Sequence, residues 1–121
     1  MASQGRDSGF DDRIQRALEL IRANYGKSLA VPDLARAVGL SISRFSHLFR
    51  NNVGVSPAKF LGDFRMREAE HLMTTTTLTL KAIFPLVGVT DRSHFIRKFR
   101  QLYGLAPSRY RAGRRLPKRN Q

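Results

Sequence analysis

The sequence predicts an all-α protein of about seven helices, arranged as two similar halves. Three observations carry that expectation. The stretch Gly39-Leu40-Ser41-Ile42-Ser43-Arg44-Phe45-Ser46-His47-Leu48-Phe49-Arg50 returns as Gly88-Val89-Thr90-Asp91-Arg92-Ser93-His94-Phe95-Ile96-Arg97-Lys98-Phe99-Arg100, and each copy closes on Gly-x-x-Pro, Gly54 to Pro57 and Gly104 to Pro107. A repeat of about 50 residues marks two copies of one supersecondary unit. Apolar residues recur at helical spacing along the chain and no strand is read, while Gly and Pro separate the segments. Each copy reads as a helix ending on Gly, a short turn, and a second helix with apolar residues on one side and Arg, Ser and His on the other, which is the pattern of a helix-turn-helix.

Residues 1 to 9 are polar and Gly/Ser-rich, as expected of a flexible lead-in or linker remnant. The first subdomain is expected over residues 10 to 56. Ile14, Ala17, Leu18, Ile21 and Tyr25 fall on one helical face behind Asp11 and Asp12, whose charges suit a helix N-terminus, and Gly26 stops the helix. Pro32 opens a short helix carrying Leu34, Ala35 and Val38 and ending at Gly39. Ser41 or Ser43 caps the next helix, with Phe45, Leu48, Phe49 and Val53 inward.

Ser56-Pro57 starts a longer linker helix, assigned to residues 57 to 74, with Phe60, Leu61, Phe64, Ala69, Leu72 and Met73 as its apolar positions. The run Thr74-Thr75-Thr76-Thr77 is poor helix material and ends it. The second subdomain, residues 75 to 112, repeats the cycle: a short helix before Gly88, a helix from about Asp91 to Leu102, and a last turn of helix after Pro107. Residues 113 to 121 form a basic tail.

With 121 residues, 41% hydrophobic content and no cysteine, the chain can bury a core but cannot form disulfides, thiolate metal sites or thiol nucleophiles. No stretch approaches a membrane span and no signal-peptide core is present, which predicts a soluble, cytoplasmic protein without membrane contact. His47, His71 and His94 are scattered and lack Cys or paired carboxylates, so no metal site, cofactor or catalytic residue is expected, and the chain does not read as an enzyme.

The net charge is +13 and the excess is local: residues 92 to 121 carry ten Lys/Arg and no Asp/Glu, whereas residues 62 to 91 carry three basic and four acidic side chains. Such a field favours polyanions. A helix fits the major groove, where Arg reads guanine, Ser and His read several bases and apolar groups meet the thymine methyl. The outward positions supply this set. Ser43, Arg44, Ser46 and His47 in the first copy, and Arg92, Ser93, His94 and Arg97 in the second, are the expected base readers of double-stranded DNA. Arg50, Lys98, Arg100 and Arg111 are the expected phosphate ligands.

Gly39-Leu40-Ser41-x-Ser43-x-Phe45-Ser46-x-Leu48-Phe49-Arg50, the middle stretch Phe64-Arg65-Met66-Arg67-x-Ala69-x-x-Leu72-Met73, and Ser93-His94-Phe95-x-Arg97-x-Phe99-Arg100-x-x-x-Gly104-x-x-Pro107-Ser108-x-Tyr110-Arg111 together resemble the DNA-binding domain of the AraC/XylS family of bacterial transcription regulators, over residues 11 to 112. The turn lengths agree with it, six steps from Gly39 to Phe45 and seven from Gly88 to Phe95. The resemblance implies two helix-turn-helix units joined by a long helix, with both recognition helices entering successive major-groove segments. It implies base contacts at Ser43, Ser46 and His47 and at Ser93, His94 and Arg97. It also implies RNA polymerase as a candidate partner. Members often carry a separate effector-binding or dimerisation domain, so the chain is either a small free-standing regulator or an excised C-terminal domain, and the linker-like residues 1 to 9 favour excision. The expected function is sequence-specific DNA binding in a bacterial regulator, activator or repressor; the alternative is an RNA-binding or nucleoid-associated protein that uses charge alone.

One place departs from the pattern. Phe84 stands where the first copy has Ala35 and needs extra room, for which the small Val89 is the candidate source; Pro85 removes a donor and crowds the Lys81 carbonyl. The helix before Gly88 is therefore expected to be short, kinked or started late.

Overall fold

The computed structural model describes residues 10–115; the lead-in and the last six residues of the basic tail lie outside them. Among the described residues there are seven helices and no strand: α1 (Asp12–Asn24), α2 (Val31–Ala37), α3 (Ile42–Val53), α4 (Pro57–Thr75), α5 (Leu80–Leu86), α6 (Arg92–Tyr103) and α7 (Pro107–Arg115). The chain divides into two compact units, one running to Phe64 and the other from Arg65, so the division falls inside α4.

In the first unit, the predicted face of α1 is the buried one: Ile14, Ala17, Leu18 and Ile21 join Leu34 and Ala35 of α2, Phe45 and Phe49 of α3 and Leu61 of α4. Asp11 caps α1, its carboxylate accepting the Arg13 N–H at 2.8 Å. The Asp11 N–H donates to Asn52 Oδ1 at 2.8 Å, while Asn52 Nδ2 donates to the Leu48 carbonyl at 2.8 Å, which ties the start of α1 to the last turn of α3. α2 has no side-chain N-cap, because Ala30 stands there; the Asp33 carboxylate accepts the Ala30 N–H at 2.9 Å instead. Gly39 takes φ +75°, and Leu40 N–H closes on the Ala35 carbonyl at 3.0 Å. A Cβ on Gly39 would meet nothing within 4 Å, so the left-handed backbone, not lack of room, is what favours glycine there.

α4 begins as expected at Ser56-Pro57, with Ser56 Oγ accepting the Lys59 N–H at 3.2 Å. It runs two residues past Met73. The hydroxyls of Thr74, Thr75 and Thr76 donate back to the carbonyls of Glu70, His71 and Leu72 at 3.1, 2.7 and 2.6 Å, the local side-chain bonding that competes with the backbone and weakens a helix near its end. Met66, which the sequence reading passed over, is buried in the second unit beside Ala69 and Met73 on the same helix.

The second unit repeats the first with a larger side chain, Phe84 in place of Ala35. Ile83, Phe84 and Val87 of α5, Phe95 and Phe99 of α6 and Tyr110 of α7 are buried. Tyr110 donates its hydroxyl hydrogen to Glu70 Oε2 at 2.7 Å, tying α7 to α4, and Phe99 lies 5.2 Å from the Tyr110 ring at 80°. Burial, then the bond to Glu70, pushes the Tyr110 phenol above its ordinary value.

The expectation of a late start for α5 is overturned. Thr79 caps it, Oγ accepting the Ala82 N–H at 3.1 Å, and Pro85 is the sixth of its seven residues. It is short, but α2 is also seven residues long and begins 49 positions earlier in the chain, so brevity belongs to the unit and not to the proline. The closing bonds match as well: Val87 N–H to Ile83 O at 3.1 Å and Val89 N–H to Phe84 O at 2.9 Å, against 3.3 and 3.0 Å for Val38 to Leu34 and Leu40 to Ala35. Pro85 is tolerated because it and Lys81 both face solvent, where the carbonyl that loses its donor is least costly. Phe84 finds its room against Phe95, ring centroids 5.0 Å apart and nearly edge-on.

Candidate nucleic-acid interface

Each unit presents one amphipathic helix, α3 or α6, whose inward stripe is a pair of phenylalanines. Phe45 and Phe49, and Phe95 and Phe99, are buried, which turns the opposite faces to solvent. Both N-termini are capped from within the chain. Ser41 Oγ accepts the Arg44 N–H at 3.1 Å, which settles the choice between Ser41 and Ser43 and leaves Ser43 exposed. On α6 the Asp91 carboxylate accepts the His94 N–H at 3.0 Å.

The site residues read from the sequence fall as follows. On α3, Ser43, Arg44, His47 and Arg50 are exposed and Ser46 is half-buried. His47 Nε2 lies 3.2 Å from Asn51 Nδ2, one turn further along the same face. On α6, Arg92, Ser93, His94, Arg97 and Arg100 are exposed and Lys98 is half-buried. The Arg92 guanidinium stands over the Phe84 ring, 5.6 Å from its centroid, so this arginine also covers the residue that replaces Ala35. Arg97 and Arg100 share one open recess with Gln101 and Gly104.

Arg111 is set apart from the rest. It is half-buried, and its guanidinium donates to the Thr76 carbonyl at 2.9 Å just past the end of α4, where a cation offsets the unpaired carbonyls. Arg114 lies over the Tyr110 ring at 5.0 Å. Five exposed residues of α3 and α6 were not among the site residues read from the sequence: Ile42, Asn51, Ile96, Gln101 and Leu102. The internal repeat could have found Ile96, which stands fifty positions after Ser46.

Neither α3 nor α6 contains an acidic residue, and α7 has none either. The first unit carries, over residues 10 to 64, eight Lys/Arg against five Asp/Glu, and the second, over residues 65 to 115, eleven against three. Arginines on acid-free helix faces can neutralise phosphates, and the Ser, His and carboxamide groups among them can donate to and accept from base edges. Among the described residues no group of His and carboxylate side chains could hold a metal ion, and no helix is long and apolar enough to cross a membrane.

A family model described as a helix-turn-helix domain matches residues 34–113. The chain is 35% identical over 105 residues to the arabinose operon regulatory protein of Escherichia coli strain K12, covering 86% of this chain and 36% of that protein. It therefore spans about a third of the length of such relatives. Its fold is similar to the C-terminal domain of AraT, a response regulator from Geobacillus stearothermophilus, with a TM-score of 0.84, 23% identity and 93% of both chains covered. It is likewise similar in fold to the DNA-binding domain of the transcription factor AdpA, solved in complex with a target DNA, with a TM-score of 0.78, 22% identity, and 85% of this chain and 93% of that one covered.

Proposed function

The chain belongs to the AraC family of helix-turn-helix transcription regulators, and from that premise we propose that it binds double-stranded DNA sequence-specifically, with α3 and α6 entering successive major-groove segments. The observation that carries this reading is the pair of equivalent, exposed, acid-free helix faces. Ser43, Arg44, Ser46 and His47 read bases from α3, and Arg92, Ser93, His94 and Arg97 from α6. Arg50, Lys98 and Arg100 hold phosphates, and the DNA-bound relative in fold supports duplex as the ligand. Arg111 joins them only by giving up its bond to Thr76. The whole protein acts near promoters in a bacterial cytoplasm, as activator or repressor, with RNA polymerase as its partner and an effector or dimerisation domain outside these residues.

Charge alone would bind any polyanion, and competition separates the two readings. Duplexes selected from a random pool should outcompete bulk genomic DNA by at least about 10³-fold at physiological salt. Equal competition by bulk DNA or by RNA would favour a charge-driven binder.

A further inference from the structure

We propose that Asn51 and Gln101 are further base-reading residues, one on each recognition helix, and that each selects an adenine. The proposal rests on the DNA-binding reading above and deepens it.

The two carboxamides are equivalent, fifty positions apart, as are Ser43 and Ser93 or His47 and Arg97. Each lies four residues beyond the central reader and eight beyond the serine, so Ser43, His47 and Asn51 share one stripe of α3, and Ser93, Arg97 and Gln101 share one stripe of α6. Eight residues at 1.5 Å each extend about 12 Å along the helix axis, comparable to the rise of three to four base pairs at about 3.4 Å each for a helix lying in the groove.

Adjacent asparagines on α3 show the difference between a structural and a reading side chain. Asn52 is half-buried and engaged by the Asp11 N–H and the Leu48 carbonyl. Asn51 is exposed, and its amide nitrogen reaches sideways along the reading face to His47 Nε2 at 3.2 Å. That bond uses one of two N–H groups. The second N–H and the carbonyl oxygen stay available, and together they complement N7 and the N6 amino group of adenine. The same contact sets the Asn51 amide beside the His47 ring on the reading face. On α6, Gln101 is exposed and borders the open recess with Arg97, Arg100 and Gly104, where the longer side chain has room to swing toward a base.

The test is parallel selection of duplexes from a random pool with the unaltered chain, Asn51→Ala, Gln101→Ala and His47→Ala. The unaltered chain should enrich a motif with an adenine preference in each of two clusters. Asn51→Ala should erase the adenine in one cluster and Gln101→Ala the one in the other, each with a loss of between about five- and hundred-fold on the selected duplex. Replacing that adenine by 7-deazaadenine should weaken the unaltered chain by a similar factor and leave the matching variant indifferent. Unchanged motifs in both carboxamide variants would overturn the proposal, as would an Asn51→Ala motif identical to that of His47→Ala, which would reduce Asn51 to holding His47. If the unaltered chain enriches no motif, the reading of the whole face fails first. Circular-dichroism melts matching the unaltered chain tie any loss to the interface.

Discussion

The two units share a plan and differ in what fills it. Where the first has the small Ala35 in the same buried core as Phe45, the second places Phe84 edge-on to Phe95. Where the first caps its exposed helix with Ser41, the second uses Asp91. The first unit is modestly basic, with eight Lys/Arg against five Asp/Glu, and the second strongly so, with eleven against three. The turn geometry survives these exchanges, since the bonds that close α2 and α5 agree to within a few tenths of an ångström. A helix-turn-helix is thus fixed by its glycine, its cap and its buried phenylalanine pair, while core volume and surface charge are free to vary. On the proposed reading, the first unit recognises mainly through neutral donors and acceptors and the second adds most of the electrostatic grip.

The largest expected effect is in the core where the units differ most. Phe84→Ala gives the second unit the first unit's residue without its surroundings, and should cost about 3 to 4 kcal/mol in urea denaturation. Ala35→Phe, the reverse exchange, should also destabilise, because the first core is filled without it. A Phe84→Ala cost under about 1 kcal/mol would mean that the two cores are interchangeable.

Next comes salt. With roughly 6 to 8 phosphates neutralised, log K should fall against log salt with a slope near −5 to −7. Removing Lys98 and Arg100 together should lower that slope by about 2, and removing Arg50 by about 1. A larger change from Arg50 than from the pair would reverse the electrostatic ranking of the units.

Pro85→Ala should be smaller still. It restores one exposed hydrogen bond to the Lys81 carbonyl, so a gain of about 1 kcal/mol is expected, with no change at the second cluster of bases. Tighter binding there would show that the proline distorts the second reading helix after all.

Acid and base responses should also separate the units, weakly. Arg13 holds the Asp11 carboxyl below its usual range, and the Ala30 N–H, then Arg36, does so for Asp33. Their contribution is present above the ordinary carboxylate value of 3.8 and is lost as pH falls through the lowered folded values. The raised Tyr110 value has the opposite sign: its contribution is present below the ordinary 10.0 and is lost as pH rises through the folded value. Amide exchange followed across pH should show the first unit loosening toward acid and the second toward alkali, with Tyr110→Phe removing the alkaline effect.

Most of the fold was legible because repetition tests every local reading twice. The apolar stripes of α1, α3 and α6, both turn glycines and the Ser56-Pro57 start are local signals, set by period and backbone preference. Pro85 misled for a physical reason: its penalty depends on whether the lost donor's partner is buried, which spacing does not reveal. Met66 escaped because arginines flank it on α4. Arg111 and Arg92 read as surface cations, yet one bonds Thr76 and the other covers Phe84, contacts made across tens of residues or with a neighbouring helix. Asn51 and Gln101 could have been found by carrying the repeat one turn further.

The central claim is that α3 and α6 are separate readers, and a footprint on a selected duplex tests it most directly. The unaltered chain should protect two clusters of bases about one helical turn, roughly 10 bp, apart. His47→Ala should relax preference in one cluster and Arg97→Ala in the other, each costing about 1 to 3 kcal/mol. A single continuous cluster, or loss of preference across both from either substitution, would contradict the account.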